Sequence, residues 1–161
     1  MTESEITELV RSLGGVEVVV ASAEIGAPEA AWGDSFFFYD PDGPTPDDQR
    51  FPFATIVVHD YDGFDTASDL NRPGVFRLNM WVARATFREL FGDLPGPSDV
   101  DFTALDQLMP HPVYARQSWV SIINPGDASR SQVAALLADA HAGAVERYGK
   151  RHSADQAPGD R

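Results

Sequence analysis

Residues 53–82, FATIVVHDYDGFDTASDLNRPGVFRLNMWV, decide the fold, because two β-prone runs follow one another with no helical period between them. The first, Phe53 to His59, is apolar and β-branched; the second, Val75 to Val82, begins after Pro73-Gly74. In the second run Phe76, Leu78, Met80 and Val82 alternate with Arg77, Asn79 and Trp81. That is the period of a strand with one core face and one partly polar face. Between the runs lie His59, Asp60, Asp62, Asp65 and Asp69, with Asp62-Gly63 supplying turn chemistry and Thr66 or Ser68 a local cap.

Upstream, Ile6, Leu9, Val10 and Leu13 follow helical spacing, Thr2-x-x-Glu5 forms a capping box, and Gly14-Gly15 stops the helix. Val16 to Ala21 and Phe36 to Tyr39 read as strands, separated by a loop, Gly26 to Asp34, that carries Trp32. Proline and aspartate dominate Pro41 to Pro52, an irregular connection. Downstream, Thr86, Phe87, Leu90 and Phe91 before Gly92 predict a short helix, Asp93 to Val100 a loop, and Phe102 to Met109 a further turn or two of helix. Trp119 to Ile123 is the fifth strand. A final helix capped by Ser129 or Ser131 buries Val133, Leu136, Leu137, Ala140 and Ala144, with His141 on its exposed side.

The order of helix, four strands, helix, strand, helix lacks the regular alternation of a doubly wound sheet. The expectation is an α+β fold, a single antiparallel sheet of about five strands with helices packed on one face. Residues 1–150 form one domain and residues 151–161, polar and broken by proline and glycine, a disordered tail.

The chain of 161 residues has a formal charge of −13, all of it in the first 69 residues, and a single lysine, Lys150. Phosphate backbones are bound by clustered Lys and Arg, so nucleic acid is a disfavoured partner. No apolar stretch reaches the roughly 20 residues of a membrane span, and the start, Thr2-Glu3-Ser4-Glu5, is no export signal. The expected setting is the cytoplasm, without membrane contact. With no cysteine, any metal needs His and carboxylate ligands.

Asp60-x-Asp62-Gly63 after an apolar strand resembles the nucleophile loop of haloacid-dehalogenase-type phosphatases. Phe64 stands where those enzymes carry a phosphoryl-binding threonine, and Lys150 is too near the end of the chain for their lysine. Neither Asp40 to Gly43 nor Asp60 to Asp65 has the glycine and glutamate spacing of a calcium loop. His59, His111 and His141 lack the helical i, i+4 spacing of zinc ligands, and no serine elbow, phosphate loop or dinucleotide fingerprint occurs. No metal and no cofactor is expected. Tryptophan has a polar edge suited to the rim of a cleft. If Trp81 shares a face with Arg77 and Asn79, that face floors a shallow pocket.

Taken together, AWGDSFFFYDPDG (31–43), PFATIVVHDYDGFDTASDLNRPGVFRLN (52–79) and HPVYARQSWVSIINPG (111–126) resemble an uncharacterised bacterial family of unknown function. A looser resemblance, carried by Phe76 to Asn79, the segment His111 to Ser121 and the helix Val133 to Val145, is to MmcQ/YjbR-like proteins. It implies a frataxin-like or double-wing α+β fold and DNA binding. This chain departs from that pattern at Asn79, where those proteins carry lysine, and before Trp119, where Arg116 is the sole base.

The reading that follows is a non-enzymatic binding or accessory domain for a small molecule or a protein partner. Its candidate binding residues are Trp32, Asp34, His59, Asp60, Asp62, Asp65, Arg72, Arg77, Asn79, Trp81 and Trp119. Two alternatives stand beside it: a hydrolase or metal-assisted enzyme using His59, Asp60, Asp62 and Arg72, and a DNA binder using Arg72, Arg77, Arg84, Arg88 and Arg116. Arg72 has a purely structural option as well, pairing with Asp69 or Asp65. Catalytic residues and oligomeric state are not legible.

Overall fold

A computed structural model describes residues 1–93 and 99–155. In chain order the elements are α1 (Glu3–Arg11), β1 (Val16–Val20), β2 (Ser35–Tyr39), β3 (Ala54–Val57), β4 (Arg77–Trp81), α2 (Arg84–Phe91), β5 (Met109–Pro110), β6 (Trp119–Ile123) and α3 (Arg130–Asp155). The strands form one sheet in the order β1-β2-β3-β4-β6-β5, and every neighbouring pair is antiparallel. The fold is α+β, with six strands where about five were expected.

Local chemistry sets the elements. The capping box at α1 is complete: Glu5 N–H donates to Thr2 Oγ1 (3.1 Å) and Thr2 N–H to the Glu5 carboxylate (2.9 Å). Gly15 follows at φ +67°, where an added Cβ would lie 2.6 Å from the Tyr39 ring, so the turn into β1 needs a glycine.

Strand alternation divides the sheet. One face carries Phe37, Ala54, Ile56, Leu78, Met80, Val120 and Ile122. Against it pack Ile6 and Val10 of α1, Phe87 of α2, and Val133, Leu136, Leu137, Ala140 and Ala144 of α3. Each fully buried Leu, Ile or Phe there contributes roughly 1.5–3 kcal/mol. The other face is covered in part by the β3–β4 connection, which seats Leu70 beside Val57, Met109 and Ile123 in a second, smaller apolar cluster.

Three expectations are corrected. Phe102 to Met109 is not helical: Asp101 accepts from the Thr103 N–H and hydroxyl, Asp106 sits at φ +54°, and Leu105 bridges to Ile123. Such side-chain to backbone bonds compete with a helix. His141 is not on an exposed face: its Nε2–H donates to the Gly14 carbonyl (2.8 Å) and its ring meets Tyr39 and Phe53 edge-on. Finally, α3 continues to Asp155, so residues 151–155 are helical rather than part of a loose tail. The remainder of that tail, 156–161, and residues 94–98 of the loop expected at 93–100 lie outside the described residues.

Candidate functional site

The face of the sheet opposite α1, α2 and α3 carries a row of polar side chains. Thr55, Asn79 and Ser121 are cross-strand neighbours on β3, β4 and β6. Asn79 Nδ2 donates to Thr55 Oγ1 (3.0 Å), and Ser121 Oγ donates to Asn79 Oδ1 (2.7 Å). The same oxygen accepts from Arg77 Nε (2.9 Å), which locks the guanidinium two residues along β4.

Arg77 has no solvent exposure. Its Nη1 donates to Asp65 Oδ1 (3.1 Å) and Ser68 Oγ (2.9 Å), and its Nη2 to Asp65 Oδ2 (2.5 Å). The forked contact is the geometry by which a guanidinium matches a carboxylate. Asp65 and Ser68 come from the β3–β4 connection, shaped by a tight turn: Phe64 N–H and Asp65 N–H both donate to the Tyr61 carbonyl, with Gly63 at φ +74°.

Around this floor lies a cleft of about 590 Å³. Trp81 and Trp119 face each other across β4 and β6 with ring planes 10° apart and centroids 6.0 Å apart. The Arg147 guanidinium lies 3.7 Å from the Trp81 centroid and holds that ring. Phe36, Phe51, Tyr61, Phe64 and Tyr114 supply aromatic walls. Phe51 and Phe64 line the cleft while remaining 70% and 58% exposed.

His111 closes the polar end. It follows β5, is 4% exposed, and its Nδ1 accepts from Val113 N–H (2.9 Å) and Tyr114 N–H (3.0 Å). Burial, and then the positive charge of Arg77, push its pKa down to about 3. The ring is therefore neutral at physiological pH. Tyr61 is fixed from behind by its hydroxyl donating to Asp34, whose other oxygen accepts Val58 N–H (2.9 Å). Burial raises the Asp34 pKa, opposed by those two bonds. Burial, then the Asp34 hydrogen bond and charge, raises that of Tyr61, which stays a phenol.

Of the residues singled out from sequence, Asp65, Arg77, Asn79, Trp81 and Trp119 meet in this cleft, and Asp34 supports it through Tyr61. Trp32 lies elsewhere, its indole N–H donating to Ala27 (2.9 Å). His59, Asp60 and Arg72 serve the connection itself. His59 Nε2–H donates to Trp32 O (2.8 Å), and Asp60 accepts Leu70 N–H (2.8 Å) while its own N–H donates to Asn71 (3.0 Å). Arg72 donates to the carbonyls of Asp69, Ser68 and Thr103. Of its two expected partners Arg72 pairs with Asp69, Nε to Oδ2 at 3.8 Å, while Asp65 pairs with Arg77. Asp62 is exposed on the turn. No group of three or more His, Asp or Glu side chains able to hold a metal ion occurs among the described residues.

A second, more open depression of about 670 Å³ is lined by His59, Asn71, Arg72 and Asn124. Those side chains are already bonded within the protein: Asn124 accepts Phe76 N–H (2.9 Å) and donates to Gly74 O (2.9 Å). Of the arginines proposed for DNA, Arg84, Arg88 and Arg116 line a third depression beside Asp93, whose carboxylate pairs with Arg88 (2.9 Å). Arg72 and Arg77 are not part of it.

Sequence reading missed Tyr61, Phe64, His111, Tyr114 and Gln117, all of which line the cleft. His111 stands between Pro110 and Pro112, and no local signal distinguishes it from an ordinary loop histidine. No curated protein and no solved structure gives a significant match to this sequence. A family model does match, over residues 1–153: the chain belongs to a family of unknown function, DUF6194.

Proposed function

We propose that this chain is a binding protein for a small, flat, largely apolar molecule, held in the cleft on the face of the sheet opposite α1, α2 and α3. The observation that carries the reading is the pairing of aromatic walls, Trp81, Trp119, Tyr61, Phe64 and Tyr114, with a polar floor fixed by the buried Arg77–Asp65 pair. A concave apolar site with a few fixed polar groups is the usual form of a small-molecule pocket. About 590 Å³ falls within the 300–1,000 Å³ typical of such pockets.

The His59, Asp60, Asp62 and Arg72 set gives an enzymatic reading less support, because the first two and Arg72 are committed to backbone partners within the chain. The charge of −13 likewise weighs against polyanions.

The three tryptophans provide the test, since Trp81 and Trp119 line the cleft and Trp32 does not. Titration with naphthalene derivatives, followed by the indole N–H resonances, should move the signals of Trp81 and Trp119 and leave that of Trp32 in place. Equal movement of all three, or of none up to millimolar probe, would end the reading.

A further inference from the structure

Beside the cleft lies a small pocket of about 50 Å³, lined by three arginines, Arg50, Arg147 and Arg151, and by no acidic residue. The chain as a whole has 25 acidic side chains against 12 Lys and Arg, so a lining of this kind runs against its composition. Trp81 and Phe51 line the pocket and the cleft alike, and the two spaces therefore meet at one aromatic wall.

The three arginines are matched very differently. Arg50 meets the carboxylates of Glu17, Asp40 (3.3 Å) and Asp47 (3.0 Å) and has no charge to spare. Arg147 rests on the Trp81 ring instead. One turn away along α3 in either direction it finds only Gly143, Ala144, Lys150 and Arg151, and the adjacent Glu146 pairs with Lys150 (3.1 Å). Arg151 donates from Nη1 to the Gln49 carbonyl, a neutral acceptor. Burial lowers the Arg147 pKa; Glu146 opposes that shift and Arg151 adds to it. An anion at this point would relieve the crowding of two cations.

We infer that the ligand of the cleft is a planar aromatic acid, whose ring system lies along Trp81 and Trp119 and whose single carboxylate passes the edge of Trp81 to meet Arg147, with Arg151 as the second cation. This rests on the cleft being the binding site and adds the ligand's charge and chemical class. Both arginine side chains are partly open to solvent, so an incoming group can reach them. A guanidinium offers paired N–H groups that match a carboxylate, and stacking on Trp81 fixes the plane in which they point. The pocket limits the head group: about 50 Å³ is less than two waters occupy in the liquid, at roughly 30 Å³ each, which suits a carboxylate and leaves no room for a second ring. The formal charge of −13 disfavours a ligand with several negative charges.

Two probes of the same shape, 2-naphthylacetate and the neutral 2-naphthylacetamide, test this by titration calorimetry. The acid is expected to bind about tenfold tighter than the amide. Its binding should also shift the Arg147 Nε–H resonance, a readout in the wild-type protein that needs no variant. Arg147→Gln should bring the two probes to equal affinity, and Arg147→Lys, which keeps a cation, should retain part of the preference. The ratio of the two affinities is the measure, because Arg147 also holds the Trp81 ring that both probes use.

Equal affinity of acid and amide for the wild type would overturn the acid assignment while leaving the cleft as a binding site. A preference for the acid that survives Arg147→Gln would overturn the seat assigned to the carboxylate. Failure of both probes to bind would remove this inference together with the site on which it rests.

Discussion

The two faces of the sheet are built from the same strands and do different work. On β4, Leu78 and Met80 turn to the helices and are wholly buried, while Arg77 and Asn79, one residue out of step, are 0% and 2% exposed on the opposite side. Both faces exclude water from β4, one with hydrocarbon and the other with a polar network. The helix face gains stability from apolar area and tolerates changes of shape. In the opposite network, removing one partner strands the others, so a few side chains are held to fixed positions. The second arrangement is what a binding floor requires, because its groups are positioned before any ligand arrives.

Acid should set the two faces furthest apart. His111 has its folded pKa near 3 against 6.5 for the free side chain, through burial and then the charge of Arg77. The native state thus holds fewer protons than the unfolded chain between those values. Stability conferred by the neutral ring is complete above about pH 6.5 and is lost as pH falls toward 3, by at most roughly 5 kcal/mol. Asp34, raised by burial, works with the opposite sign over the acid range. The wild type should therefore be compared with His111→Asn by denaturant unfolding at successive pH values. The difference between the curves isolates His111, and a difference that does not vary with pH would mean its environment is not the closed, cationic one described.

Next in size is the direct contrast on β4. Arg77→Met leaves the Asp65 carboxylate without its cation and the Ser68 hydroxyl without its donor, takes one of two donors from the Asn79 oxygen, and should cost about 3–5 kcal/mol in chemical unfolding. Leu78→Ala, a cavity on the helix face, belongs in the range of about 2–5 kcal/mol. The two separate when a partner is removed as well. Arg77→Met with Asp65→Leu should recover a good part of the single-variant loss, because it deletes the stranded charge along with its partner. No second substitution added to Leu78→Ala can do so without refilling the volume. A double variant as unstable as Arg77→Met alone would show that Asp65 is not the main uncompensated group.

The helix face was legible because it repeats. Ile6 and Val10, Leu136 and Leu137, and the alternation of Leu78 and Met80 all announce themselves within a few residues. Half of the open face was legible in the same way, since alternation alone places Arg77, Asn79 and Trp81 together. Their partners were not, because Ser121 lies 42 residues from Asn79 and His111 lies 34 from Arg77, and only the register joins them. The sixth strand was hidden too: Met109–Pro110 is too short to show a period, and its proline is tolerated because the strand is at an edge. The acidic run from His59 to Arg72 read as chemistry because its residue types are those of active sites. Its bonds show a clasp, with Asp60 and Asn71 closing the connection and Arg72 tying it to Ser68, Asp69 and Thr103.

A smaller effect separates support from lining. Tyr61→Phe removes the hydroxyl that bonds the buried Asp34 and should cost about 1–3 kcal/mol, the usual figure for a buried acceptor left without its donor. It also removes one of the bonds that lower the Asp34 pKa, so that pKa should rise further, measurable from the carboxyl carbon shift against pH. An unchanged Asp34 titration would mean that the Tyr61 hydroxyl does not reach the carboxylate in solution.

The smallest expected change in stability is at Phe64, and there the two properties part company. Phe64 is 58% exposed, lies in the tight turn that carries Asp65, and meets Tyr114 at 6.0 Å between ring centroids across the mouth of the cleft. More than half of its surface stays exposed, so Phe64→Ala should shift unfolding by only about 0.5 kcal/mol, near the range of ordinary surface substitutions. A ring of that size covering a planar ligand contributes through contact area and stacking, so the same variant should weaken binding of a naphthalene probe severalfold in calorimetry. If Phe64→Ala instead unfolds the protein readily and binds the probe as the wild type does, Phe64 is a structural wall of the turn, and the cleft closes over its ligand by some other part of the chain.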